Sequence, residues 1–334
     1  MNAYTTNINE TTNHFNGRFL NQKVFEIVGI TRLLSIYLFF VLLLLSGRIC
    51  AQEYLDIFKA DYAISPNNRF EDSSMTTTLQ EKNANLTVPI KINERIAFLT
   101  GVTYENISAY FDKSTRKASV TGLTLKLGAN IKHSEKWSGT YILLPKISSD
   151  FEKVAEQDVQ LGGAAMMKYK KSDHFNYKFG VYANNELFGA FVVPVAGLYY
   201  LSPSEKFEAN VLLPLSVDLS YYMTSSFSVG LNFKGQVRTY NLNSNLEQDQ
   251  NNYLARSSND VYTYLQFGMK SGINFQLGLG HSVGRSYRVY NEKVSMGMPL
   301  VYFDDNREQL NADFSDGWLI KFAVFYRLDL SKAE

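Results

Sequence analysis

Cysteine is nearly missing from this chain of 334 residues: Cys50 is the only one. A disulfide framework within the chain is therefore excluded. There are also only 4 histidines and 2 tryptophans, and 19% of the residues are charged, with a net charge of +1. That balance leaves no whole-chain footprint for nucleic acid or an anionic surface. Long apolar runs are missing as well, apart from one, Leu33 to Leu45, which follows Lys23 and Arg32. It falls short of the roughly 20 residues that a spanning helix needs, but it suits the apolar stretch of a secretory signal. Ala51 is a fitting last residue before cleavage. Gly47, Arg48 and Ile49 do not match the pattern of a lipidation site before Cys50, and cleavage after Ala51 removes the thiol. The expected organisation is an unstructured or mis-started extension over 1–31, a signal peptide over 32–51 and one domain over 52–334.

Tyrosine and phenylalanine are abundant, at 22 and 23 residues. After Gln52 the apolar residues recur at every second position, as in a strand with one apolar face. Leu86, Val88, Ile90 and Ile92 alternate with Thr87, Pro89 and Lys91; Leu123, Leu125 and Leu127 alternate with Thr124, Lys126 and Gly128; Phe227, Val229, Leu231 and Phe233 alternate with Ser228, Gly230, Asn232 and Lys234. A soluble sandwich also alternates, but its strands average about 5–6 residues, whereas many of these segments reach the roughly 10 needed to cross a bilayer at a tilt. Their polar faces carry Lys, Gln, Asn and Gly, and aromatics such as Trp137, Tyr199, Tyr200, Tyr221 and Trp318 mark strand ends. These are signs of a wet lumen and of interfacial girdles. The expected fold is all-β: a transmembrane antiparallel up-and-down barrel of 14 strands, or 12 if the segment before Ser65 is a plug or arm. The expected location is the outer membrane, reached through the cleaved signal.

Connections alternate in length. Short turns at Ile92–Arg95, His133–Trp137, Lys171–Phe175, Ser202–Phe207, Met223–Phe227 and Lys270–Gly272 are expected in the periplasm. Long ones at Ser65–Met75, Asp112–Ala118, Ser148–Asp158, Asn241–Asn259 and Asn291–Ser315 are expected outside. The stretches "SEKWSGTYILLP" and "SEKFEANVLLP" repeat one unit: a short turn, an aromatic, a strand and a closing proline, which lacks the donor needed to continue pairing. The second copy runs directly into "LSVDLSYYM", so Leu212–Pro214 is expected to be a tight outer hairpin with Val211 facing Leu215.

At "LLPKISSDF", "YKKSDHFNYKFGVYANNELFGAFVVPVAGLYY", "SEKFEANVLLPLSVDLSYYMTSSFSVGLNF" and "GHSVGRSYRVY" the chain resembles a family of outer-membrane β-barrels of unknown function from Bacteroidota-type bacteria. The resemblance implies location and architecture. It brings no reaction, ligand or catalytic residue.

Enzyme motifs do not appear: there is no H-E-x-x-H, G-x-S-x-G, P-loop or calcium-loop spacing. No catalytic residue, metal site or cofactor is expected. His133 and His174 fall in turns. His281 and Ser282 are adjacent in a strand and so point to opposite faces, which separates a base from a nucleophile. Arg285 and Arg288, with Tyr287 and Tyr290, suit lipopolysaccharide phosphates or a pore rim. Asp304, Asp305, Asp313 and Asp316 read as a solvated acidic loop.

Charge on the lumen face is the functional lead. Parity places Lys91, Lys126, Lys132, Lys168, Lys170, Lys178, Lys234, Arg238, Lys270, Lys321 and Arg327 there, against Glu208, Asp218 and Asp329, with the other acids in loops. Basic rings in a low-dielectric pore attract anions. The expected pore-lining set is Lys126, Lys168, Lys178, Lys234, Arg238, Lys270 and Lys321, in a channel or transporter for small anionic or polar solutes. The other possibility is a non-conducting barrel, its lysines paired with acids, that docks a surface or secretion partner through its loops. Expected partners are outer-membrane lipid and lipopolysaccharide together with such a solute, without nucleic acid; no protein partner is indicated.

Overall fold

The computed structural model describes residues 54–71, 74–111, 118–243 and 252–329. The expected signal run, Cys50 and Ala51 lie outside the described residues. The strands are β1 (Tyr54–Arg69), β2 (Thr76–Lys91), β3 (Ile96–Ala109), β4 (Ala118–Lys132), β5 (Trp137–Ser149), β6 (Val159–Ser172), β7 (Phe175–Glu186) and β8 (Gly189–Leu201). They continue as β9 (Phe207–Leu213), β10 (Ser216–Tyr222), β11 (Phe227–Asn241), β12 (Tyr253–Gly268) and β13 (Ile273–Tyr290). A small hairpin, β14 (Met296–Met298) and β15 (Val301–Phe303), precedes the last strand, β16 (Trp318–Asp329).

Each wall strand pairs antiparallel with its sequence neighbour, β13 pairs with β16, and β16 pairs with β1. The result is a closed barrel of 14 strands. The segment before Ser65 is neither plug nor arm, because β1 is a wall strand of 16 residues bonded on both sides. Alternation sorts the faces as pleating requires. Leu123, Leu125 and Leu127 of β4 are 45%, 44% and 38% exposed on the outer surface, while Val120 between neighbouring strands is fully buried inside. Leu143, Leu265, Leu277 and Phe322 extend this exposed apolar band around the barrel. Such a band is stable only against lipid.

The short-turn rim is built by repetition. Ion pairs Lys91–Glu94 (2.9 Å), Lys132–Glu135 (3.0 Å) and Lys170–Asp173 (2.6 Å) clip three of its turns. Within the turns, Asn93 Oδ1 accepts from the Arg95 and Ile96 amides, and Ser134 Oγ from those of Lys136 and Trp137. These lysines hold the Glu94, Glu135 and Asp173 carboxyls below their ordinary range, first through their hydrogen bonds and then through their charge.

The other rim is irregular. β9 and β10 have only 7 residues each, against 12 to 18 in the other wall strands. Their turn sits one residue later than expected, over Leu213–Leu215, so that Leu212 faces Ser216 and Val211 faces Val217. The reason is local: the Leu215 amide donates to Leu212 O at 2.8 Å, and Leu215 O accepts from the Gly235 amide at 2.9 Å. Nor does this hairpin reach the rim. β8 pairs with β9 only from Ala196 onward, and β10 leaves β11 after Lys234, so a notch is cut in the wall between β8 and β11.

Above the notch the end of β11 bends inward and meets β5 and β6, nearly opposite in the ring. Asn241 pairs with Ser149, while Ser148 Oγ and Gln160 Nε2 donate to Thr239 O at 2.7 and 3.2 Å. Two apolar clusters fill this end. One gathers Leu79, Ile107, Val120, Tyr240, Leu254 and Tyr287 beneath the loop residues Phe70, Phe111 and Phe314. The other joins Phe191, Val193 and Val195 of β8 to Tyr253, Tyr290, Val294 and Phe188.

Candidate functional site: the lumen

Most lumen cations have partners. Lys126 donates to Thr87 Oγ1 at 2.8 Å and to Asn85 Oδ1, and Lys178 donates to Asn210 Oδ1 at 2.7 Å. Arg238 meets Glu105 at 3.4 Å, Lys321 meets Asp61 at 3.5 Å, and Arg327 forks onto Asp56 at 2.7 and 3.1 Å. Lys168 faces Lys178 across the β6–β7 pair. Lys234 makes no hydrogen bond or ion pair among the described residues with its ammonium, although Asp260 lies opposite it in register. Lys270 is not in the wall: β12 ends at Gly268, and Met269 to Gly272 form a turn closed by the Met269 amide on Ile273 O.

The acids correct the expected sorting. Asp56, Asp61, Glu81, Glu105, Glu186 and Asp260 face inward beside cations rather than standing in the loops. Near the pinched end, Arg256 is 1% exposed and bonds Glu81 at 2.7 Å, with Asp260 at 3.8 Å. Tyr287 Oη donates to Glu81 at 3.1 Å, and Ser282 Oγ to Asp260 at 2.8 Å. On the far side of the pinch, Lys146 pairs with Glu186 at 3.4 Å, and Glu186 also accepts from the Thr239 amide at 2.9 Å and from Asn184 Nδ2 at 2.6 Å. Nearer the short turns, Glu208 accepts from Tyr54 and Tyr222 at 2.8 and 2.6 Å, and Asp218 from Tyr264 and Asn232, both at 2.8 Å.

Between these layers, charge is unbalanced. Lys59, Lys234 and Lys321 all act on one carboxylate, Asp61, which also accepts from Asn83 Nδ2 at 2.9 Å. Lys59 stands 5.1 Å over the Phe325 ring, and Lys321 is 5.2 Å from that of Tyr262. Of these three, only Lys321 has an ion pair among the described residues, with Asp61 at 3.5 Å.

A model of the family described as domain of unknown function (DUF6268) matches residues 48–315. The chain belongs to this family. No curated protein matches this DUF6268 member. Among solved structures, it is similar to a monoaromatic hydrocarbon channel, the TodX deltaS2S3 mutant, at 11% identity over 86% of this chain and 94% of that one, with a TM-score of 0.40. It is also similar to the β domain of the Bordetella autotransporter BrkA, at 8% identity over 81% and 99% with a TM-score of 0.27. OccAB4 of Acinetobacter baumannii matches at 10% identity over 85% and 100%, with a TM-score of 0.24.

Candidate chemistry elsewhere in this DUF6268 barrel resolves into structure. His281 lies on the outer surface with its ring 5.3 Å from that of Trp318, while Ser282 points inward to Asp260. His133 Nε2 is 3.2 Å from Tyr141 Oη at the short-turn rim. In the acidic loop, Asp305 pairs with Arg307, Asp313 with Arg288, and Asp316 accepts from the Gly284 and Arg285 amides at 2.8 Å. Among the described residues no group of three or more His, Cys, Asp or Glu could hold a metal. Arg285 turns inward onto Ser65 and Asn68, away from any lipid phosphate.

Sequence reasoning missed Lys59, Asp61, Arg256 and Asp260. The first two belong to β1, whose alternation is broken by the register shift between Asp56 and Phe58. The other two fall near or within the stretch taken as a long loop, where Arg-Ser-Ser-Asn-Asp reads as polar although every second residue is buried.

Proposed function

We propose that this protein is an outer-membrane barrel that passes or binds small anionic solutes, with its short turns in the periplasm and its long loops outside. The observation that carries this is that Lys59 and Lys234 make no hydrogen bond or ion pair among the described residues and share the lumen with Lys321, whose ion-pair partner is Asp61. A confined positive excess concentrates anions and repels cations. Lys126, Lys168 and Lys178, on the wall between this cluster and the short turns, extend the same sign toward that rim. The full chain, refolded into a planar bilayer under a salt gradient, is expected to give a reversal potential on the anion side. Lys234→Glu and Lys59→Glu should each move that potential toward the cation side; a potential unmoved in both would remove the lysine cluster from selectivity.

A second use is favoured by the filled loop end: a barrel that does not conduct and serves as a structural or docking element. It would be supported by a correctly folded protein that never conducts.

A further inference from the structure

On the outer face of β12 and β13 the wall changes character with height. Leu265, Leu277 and Leu279 are exposed in the lipid-facing band, and beyond them stand the His281 and Trp318 rings, 5.3 Å apart. Past these rings the outward positions turn polar: Asn259 faces Val283, Ser257 faces Ser286, and Arg288 faces Ala255. From Val261, which faces His281, to Ser257 is roughly 13 Å along β12 at the usual rise of a strand. That is the level of headgroups, above the hydrocarbon.

The β14–β15 hairpin covers part of this polar stretch. β14 pairs in parallel with β8 at Ala190 and Phe191, and Tyr302 of β15 packs into the cluster of Tyr253 and Tyr290. Between hairpin and wall is a cavity of about 240 Å³ whose lining includes Ser257, Ser286, Arg288, Tyr302, Asp305 and Arg307. The hydroxyls of Ser257, Ser286 and Tyr302 make no hydrogen bond among the described residues. Each arginine, by contrast, is held by a carboxylate of its own. Asp305 forks Arg307 at 2.8 Å on both sides, with that guanidinium 4.4 Å from the Tyr290 ring and 4.7 Å from that of Tyr302. Asp313 Oδ2 accepts from Nε and Nη2 of Arg288, both at 2.7 Å.

The cavity therefore offers fixed donors and acceptors without a surplus of either charge. An anion has no net attraction there, whereas a sugar ring, with hydroxyls that both donate and accept and with an apolar face, matches the serine hydroxyls, the Asp305 carboxylate and the Tyr302 ring. The surroundings decide which sugar-bearing molecule fits. Leu300, 94% exposed, borders the cavity, and Val301 and Phe303 of the same hairpin are exposed as well. Apolar surface beside a polar cavity suits an amphipathic occupant. We propose that this cavity holds a core sugar of the outer-leaflet glycolipid, fixing one lipopolysaccharide molecule against the barrel. This rests on the orientation proposed above, with the long loops outside, and not on anion conduction.

The test measures binding of three fluorescent probes to the full-length chain refolded in detergent: lipopolysaccharide carrying core sugars, lipid A without them, and the core oligosaccharide freed of lipid. The core-bearing lipid should bind about tenfold more tightly than lipid A, the scale of two hydrogen bonds. Ser257→Leu/Ser286→Leu, which fills the cavity, should bring the two lipids together. Should that variant not refold, Tyr302→Phe keeps the ring beside Arg307 and should narrow the difference by about threefold, the scale of one hydrogen bond. Equal binding of the two lipids by the parent, or an equal loss of both in the variants, would overturn the site. Free oligosaccharide bound as tightly as the core-bearing lipid would make the ligand a soluble saccharide and overturn it too. Orientation is checked apart: Leu300→Cys in the full-length chain with Cys50→Ser should react with a membrane-impermeant maleimide on intact cells. Reaction there without a core-sugar preference ends the site and leaves the orientation standing; no reaction ends both.

Discussion

Arg256 shows how the barrel interior treats charge. It is buried at 1% exposure and is matched by Glu81 and Asp260. Removing one member of such a pair strands the other, at a cost of about 3–5 kcal/mol, whereas replacing both by apolar residues of similar size is often neutral. Glu81→Gln should therefore lower the denaturation free energy of the refolded barrel by about 3 kcal/mol or more. The double variant Glu81→Met/Arg256→Met should recover most of it; a double variant as weak as the single would show that the network fixes the fold itself. Gly197 makes a steric case. A Cβ there would lie 2.0 Å from Val211 O and 2.7 Å from its carbonyl carbon, both backbone atoms of β9 that cannot swing aside. Gly197→Ala should cost about 1–3 kcal/mol through displacement of the short hairpin, visible as a lower urea midpoint.

At the scale of elements, the turns at the short rim and the strands at the notch respond to different physics. The clips Lys91–Glu94, Lys132–Glu135 and Lys170–Asp173 hold their carboxyls below the ordinary range. A carboxyl so depressed stabilises the folded state above its unfolded pKa, and that contribution fades as pH falls through the folded value. The acid side of a stability–pH curve should flatten in Glu94→Gln/Glu135→Gln/Asp173→Asn, while the neutral midpoint stays almost unchanged because exposed pairs contribute little. These turns were legible in the sequence because each has a Lys three residues before an acid, and two of them also have an Asn or Ser that binds the returning amides. The strands were legible too, wherever alternation is unbroken, as in β4 and β11. The notch was not. Its cause is a hairpin that closes on Leu215, fixed by the register of β11 against β10, and no local pattern announces that two strands will stop halfway up a wall. The inward acids were hidden for a related reason: Glu81, Glu105 and Asp260 lie within strands, outside the stretches read as long loops, yet the acids as a class were assigned to the loops.

For the whole molecule, the decisive question is whether the filled loop end opens. Phe70, Phe111 and Phe314 come from loops and pack onto wall residues, with Tyr287 stacked between Phe111 at 5.7 Å and Phe314 at 5.3 Å. Because two of the three stacked rings are carried by loops, this cap can leave without breaking a strand ladder, and the lysine cluster around Asp61 lies on the wall below it. On the proposed function, gate and filter are therefore built from different residues, which predicts that they separate in experiment. Phe111→Ala/Phe314→Ala removes both loop rings, at about 3–5 kcal/mol each of packing, and should increase the fraction of time the channel spends open. It should leave the reversal potential where the parent has it, because Lys59, Lys234 and Lys321 remain. Lys234→Glu in that background should then shift the potential without changing the open fraction. If the cap variant moved the potential and Lys234→Glu did not, selectivity would belong to the loop end. If the cap variant folded and still passed no current, the barrel would be closed by the inward bend of β11 against β5 and β6, and its purpose would lie at its surface.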